Sequence, residues 1–226
     1  MNTSLHRRSL AVCATLALTG LVLSGLSGCS ASLLPKPPPA AARYLLDAGA
    51  SPASAASSPS PRAAVALDAP VLVVAQPSAA PGYDSVHMRY QRQPQQLEAF
   101  AFHEWVEPPA RLLAPLMVRA LQDTNAFRAV LLAPTAGTGA LRLETELVRL
   151  QQDFNAQPSA VRLTLHAVLI ATDTRRVIAS RVFDATAPAG RDDPVAGVAA
   201  AQQATQRVLT DLALWTQQAA QRAAAP

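Results

Sequence analysis

Cysteine is nearly missing from this chain of 226 residues: there are two, Cys13 and Cys29. Aromatic residues make up only 4% and charged residues 15%. No run of basic residues occurs, and there are few rings on which bases could stack, so nucleic-acid binding is disfavoured. Two cysteines cannot build a disulfide framework or a cysteine-rich zinc site. Catalytic signatures are missing too. No Gly-x-Ser-x-Gly elbow occurs, and Gly137 and Gly139 form a lone pair in a turn, too little for a phosphate loop.

The most informative stretch that is present lies near the start. His6, Arg7 and Arg8 form a positive segment, and Ser9 to Ser24 is small and apolar. This is the pattern of a secretory signal, shorter than the roughly 20 apolar residues that a membrane span needs. It ends in Leu26-Ser27-Gly28-Cys29, which resembles the lipobox of bacterial lipoproteins. The resemblance implies cleavage between Gly28 and Cys29 and acylation of Cys29, palmitate being the chain type expected. Two or more acyl chains anchor stably where one does not, at about 0.8 kcal/mol per buried methylene. Cys13 leaves with the signal and Cys29 is consumed by lipid, so no free thiol remains. Arg7 and Arg8 leave as well, with no acid, which takes the formal charge from +4 to +2. Ser30 follows the lipidated cysteine, and by resemblance to enterobacterial sorting this favours the outer membrane, with the domain on its periplasmic face.

Residues 29–43 read as a tether, stiffened by Pro35-Lys36-Pro37-Pro38-Pro39. The domain is expected over 44–222, with 223–226 as a frayed tail. Tyr44-Leu45-Leu46 is a short strand candidate. An Ala/Ser/Pro-rich insertion at 48–64 reads as mobile low-complexity chain. Val71 to Val74 is a compact apolar strand, Pro81-Gly82 a turn, and Val86 to Tyr90 and Leu97 to Trp105 further strands. Pro108-Pro109 opens a helix in which Leu112, Leu116, Ala120 and Leu113, Met117, Leu121 form two adjacent rows. Pro115 implies either a kink or a regular part that begins near Ala114, and Asn125 can close the helix.

A short strand at Phe127 to Leu132 precedes Leu141 to Leu150, whose alternation slips after Leu147, as a bulge would cause. Val161 to Leu169 and Val177 to Ala185 complete a three-strand antiparallel meander. Asp192 or Asp193 caps a long last helix from Pro194, with Val195, Val198, Ala201, Thr205, Val208, Leu212 and Trp215 on its apolar stripe. The fold class is therefore α+β. It has a mixed, largely antiparallel sheet with a C-terminal meander, one mid-chain helix and a long C-terminal helix packed on the sheet.

Candidate chemistry is sparse. His103-Glu104 opens like a zinc-protease motif, but Glu107 stands where the second histidine is required. On a strand, alternation also sends His103 and Glu104 to opposite faces. His166 falls on a polar strand face and reads as solvated. No catalytic residue, metal or cofactor is expected. Trp105, just before the prolines, reads as a core residue at the helix entrance or as a partner contact, and Tyr90 carries the same ambiguity.

The order of these features resembles that of the ABC-transport auxiliary lipoproteins, the PqiC-like group. The lipobox comes first, then Tyr44-Leu45-Leu46, Val71-Leu72-Val73-Val74, Val86-His87-Met88-Arg89-Tyr90, and a Leu97-to-Trp105 block followed by a helix. The insertion at 48–64 departs from that pattern. The resemblance implies a non-catalytic lipoprotein acting beside an ABC transporter permease and ATPase. It also implies an MCE-domain protein that bridges the envelope and carries lipid or another hydrophobic substrate, and a ring of identical subunits. The other readings are a structural lipoprotein of envelope assembly without a transporter, and a periplasmic enzyme.

Overall fold

The computed structural model describes residues 39–47 and 68–224. In chain order they form β1 (Ala42–Tyr44), β2 (Val71–Val74), β3 (Ser78–Ala79), β4 (His87–Gln91), β5 (Glu98–Trp105) and α1 (Pro109–Asp123). After these come β6 (Ala129–Leu132), β7 (Leu141–Asp153), β8 (Ala160–Ala171), β9 (Val177–Pro188) and α2 (Pro194–Ala224). All the strands join one sheet.

β7 is the spine of that sheet. Leu141, Leu143, Thr145 and Leu147 are buried, whereas Arg142, Glu144 and Glu146 alternate with them on the other face. The expected slip is present as a register shift between Leu147 and Arg149, after which Leu150 returns to the core. One edge of β7 pairs antiparallel with β8 along its whole length, from Leu141 opposite Ala171 to Asp153 opposite Ala160. The other edge is divided among three short strands, all parallel to it. β2 lies beside Leu141 to Leu143, β3 beside Glu146 and Leu147, and β4 beside Gln151 to Asp153. β6 then adds to β2, β5 adds antiparallel to β4, and β1 adds parallel to β5.

The meander β7-β8-β9 and the α+β class are as the alternation predicts. Most paired residues are antiparallel because the meander strands are long. The short first strands are mainly parallel, an order that no local pattern announces. The first strand also differs from expectation. It ends at Tyr44, Leu45 turns outward at 64% exposure, and Leu46 drops into the core.

Both helices pack on the face that carries Leu143, Leu147, Leu163, Leu165 and Leu169, forming one apolar cluster with them. Each such fully buried side chain stabilises the fold by about 1.5–3 kcal/mol relative to exposure. α1 is helical from Pro109 straight through Pro115. Pro115 and Arg111 are both exposed, so the carbonyl that loses its helical partner can bond to water. Leu113, Met117 and Leu121 are the fully buried row, and Leu112, Leu116 and Ala120 flank it. Asn125 follows the helix with φ of 52°, the left-handed conformation that terminates helices.

At α2 the two candidate caps divide the work. The Asp193 carboxylate accepts the Ala196 N–H at 2.8 Å, as an N-cap does. Asp192 accepts the Ser159 N–H at 2.8 Å and ties down the β7–β8 turn. Val198, Ala201, Thr205, Val208, Leu212 and Trp215 are buried as the spacing predicts, but Val195 is 51% exposed. The buried face begins instead at Gly197, because Gln152 of β7 rises against the helix there. Helix continues to Ala224, so Ala223 and Ala224 of the expected tail are regular.

Gln152 is 3% exposed and joins three elements. Its Nε2 donates to Ser159 Oγ at 2.9 Å and to the Asp193 carbonyl at 3.3 Å. Its Oε1 presses on Gly197, where an added Cβ would overlap it. Gly197→Ala is expected to destabilise the protein by about 1–3 kcal/mol in urea unfolding, an overpacking cost. The Gly197→Ala, Gln152→Ala double variant should lose less than the sum of the two single changes.

Candidate functional site

Leu26, Ser27, Gly28 and Cys29 lie outside the described residues, as do residues 30–38 of the tether and the 48–64 insertion. The other residues singled out in the sequence are all placed. His103 and Glu104 point to opposite faces of β5. His103 stacks on Tyr44 with centroids 5.8 Å apart, and its Nδ1 lies 3.0 Å from the Tyr44 hydroxyl. Glu104 sits between Arg43 at 3.9 Å and His87 at 3.7 Å, in a row across β1, β5 and β4. Both side chains therefore hold β1 onto the sheet and do not converge on a metal. Among the described residues no group of three or more His, Cys, Asp or Glu could hold a metal ion.

His166 lies on the face of the meander away from the helices, with its Nε2 2.8 Å from Ser180 Oγ. Glu146 is its register partner on β7. Serine, histidine and glutamate thus lie on adjacent strands, but the pair is solvent-exposed. A nucleophile on an open sheet has no walls to orient a substrate or exclude water. On the same face Arg162 grips Asp184, with Nη2 at 2.8 Å and Nε at 3.1 Å from Oδ2, and Thr164 adds a hydrogen bond at 3.1 Å. The Arg162 bond, reinforced by Thr164, holds the Asp184 carboxyl below the usual carboxylate range.

Trp105 is 4% exposed, and its ring belongs to the core at the entrance to α1 rather than to the surface. Tyr90 is different. It is half-buried in a row of rings that pairing assembles from four strands and their ends. Tyr90 meets Phe100 at 4.4 Å and Phe154 at 5.8 Å, and Phe100 meets His103 at 6.1 Å, which leads on to Tyr44. The Arg92 guanidinium lies 5.1 Å from the Tyr90 centroid and 5.5 Å from that of Phe154. The Tyr90 hydroxyl donates to Glu98 at 2.8 Å, and that bond raises its pKa above the ordinary phenol value. Sequence reading missed Phe100, Phe154, Tyr44 and Arg92 as neighbours of Tyr90. The only signal was that the scarce rings recur at strand ends, and it has meaning once β4 is known to pair with both β5 and the end of β7.

No helix among the described residues is long and apolar enough to cross a membrane. The described residues thus form an α+β domain with a row of aromatic rings along one flank. A family profile for the ABC-type transport auxiliary lipoprotein component matches residues 44–213. The chain belongs to that family. A solved structure of protein XCC0632 from Xanthomonas campestris, of family DUF330, is 30% identical. The match covers 68% of this chain and 87% of that one, with a TM-score of 0.63. A solved uncharacterized protein shares the fold at 15% identity and a TM-score of 0.56, covering 67% of this chain and 94% of its own. No curated protein matches the chain.

Because the Asp184 carboxyl is held low, its contribution to stability is present above the ordinary carboxylate pKa. It is lost as pH falls through the lowered folded value. The group is 37% exposed, so solvent screening limits the contribution to less than about 1 kcal/mol. Asp184→Asn should lower stability slightly at neutral pH in urea titrations. The difference from the parent should vanish as pH falls well below about 4.

Proposed function

We propose that this protein is a non-catalytic auxiliary subunit of an ABC transporter system that moves lipid, or another hydrophobic substrate, across the envelope. Acylated Cys29 holds it on the periplasmic face of the outer membrane. An MCE-domain protein bridges the gap to the inner-membrane permease and ATPase, and several copies of this chain form a ring at the end of that bridge. The observation that carries this reading is the family match over residues 44–213, behind a lipobox at Leu26-Ser27-Gly28-Cys29.

The geometry supports a docking role rather than chemistry. His103 and Glu104 are occupied in holding β1, and the His166–Ser180 pair stands on open surface. Among the described residues β9 pairs only with β8, and its Val177 and Val182 are 56% and 59% exposed. Long edges of this kind are either protected or used in pairing. Arg207 of α2 bonds the Thr186 carbonyl of β9 at 2.8 Å.

Purification of the lipidated chain from solubilised membranes tests this reading. The bridging MCE-domain protein and the transporter should co-purify, and the native mass should be a multiple of the protomer mass. A strict monomer with neither partner would favour a structural envelope lipoprotein instead. Replacing His166 and Ser180 together with alanine should leave envelope function unchanged in a complementation assay. Loss of function without loss of folded protein would reopen the enzymatic reading.

A further inference from the structure

The exposed apolar side chains are not scattered evenly. Leu45 follows β1, Leu97 precedes β5, Phe102 lies within β5 and Val106 follows it, with exposures of 64%, 40%, 45% and 36%. These elements are neighbours, because β1 pairs with β5 and the Val106 N–H bonds the Tyr44 carbonyl. The ring row of Tyr44, His103, Phe100, Tyr90 and Phe154 runs through the same flank. In a chain with 4% aromatics this is a concentration of partly buried rings, of which Tyr44 and Phe100 pack against the margin of the core. The two tyrosine rings, apolar in body and polar at the hydroxyl, suit the boundary between water and hydrocarbon.

Two further facts indicate what covers the flank. Arg92 stacks on Tyr90 and Phe154, and no carboxylate among the described residues pairs with it. Arg43, at the sheet edge, has 69% of its side chain exposed and lies 3.9 Å from Glu104. A guanidinium held in place by rings, with its donors free, is suited to a phosphate. The chain also enters the domain here. Pro39 lies ten positions after Cys29, and a chain of that length spans at most about 36 Å. A tether of that length keeps the flank at high effective concentration beside the surface to which Cys29 is fixed, so a weak contact suffices.

We propose that the flank made by β1, β5 and the ends of β4 and β7 docks on the phospholipid bilayer that holds the anchor. The rings and Leu45, Leu97, Phe102 and Val106 meet the headgroup boundary, and Arg92 meets lipid phosphate. The inference rests on the lipidation of Cys29 and orients the domain, leaving the β9 edge turned toward protein partners.

The test uses the full-length chain, processed in cells and reconstituted into vesicles of phosphatidylethanolamine and phosphatidylglycerol that carry a nitroxide-headgroup lipid. Once Cys13 is removed and Cys29 acylated, any introduced thiol is the only one to label. Leu97→Cys and Phe102→Cys place a fluorophore on the flank, and Val182→Cys and Leu214→Cys place it on β9 and α2. Labels at 97 and 102 should be quenched several-fold more than those at 182 and 214, and Arg92→Glu should reduce the difference. Equal quenching at all four positions of an acylated chain overturns the docking. Selective shielding of 97 and 102 that appears only when a protein partner is added overturns it in favour of a protein interface. Intact mass reports acylation separately, so an unmodified Cys29 would instead sink the anchor on which the inference rests.

Discussion

The two edges of β7 are used unequally, and that inequality places everything else. One edge is committed for its full length to β8, and the other is shared by β2, β3 and β4 in succession. A 13-residue strand is long enough to serve three short partners in turn. β2 brings β6 and β4 brings β5 and then β1, whereas β3 pairs with β7 alone, so the sheet spreads from β7 toward β6 at one end and toward β5 and β1 at the other. A one-residue slip on β7 would turn every leucine of its core face outward. The bulge at Leu147–Arg149 is tolerated because it lies between the segments that β3 and β4 occupy.

The junction of β7 with α2 fixes the long helix to this frame. Gln152, Ser159, Asp192 and Asp193 form hydrogen bonds from strand to turn to helix cap. Gly197 lets the helix approach the glutamine closely. Small residues continue that approach at Ala200, Ala201 and Ala204, all buried. The polar groups buried here tie strand, turn and helix cap together.

Elements with a strong local period were legible from sequence. The alternation of Leu141 to Leu147 and Val161 to Leu169 gave the meander, and the three-and-four spacing of Val198 to Trp215 gave α2. The slip after Leu147 announced its own bulge. Less was legible where pairing is distant. Nothing local says that β2, β3 and β4 run parallel to β7, since a four-residue apolar run such as Val71 to Val74 looks the same in either direction. The ring row was hidden for the same reason, as Tyr90, Phe100 and Phe154 become neighbours only through that pairing. The split of roles between Asp192 and Asp193 also needed the structure, because either residue satisfies the capping pattern. Trp105, read as core or contact, is core because its ring faces a small cavity shared with Met88, Leu150, Val161 and Ala201.

The functional account combines an anchor, a frame and two kinds of exposed surface. Family membership supplies the transport context, and the geometry supplies the surfaces through which an auxiliary component can act. The anchor is the part that all of it requires. Metabolic labelling with palmitate, followed by membrane fractionation, examines it most directly. The account predicts a labelled chain that sediments with the outer membrane and loses both label and membrane association on Cys29→Ser. An unlabelled parent chain released freely with the periplasmic fraction would contradict it.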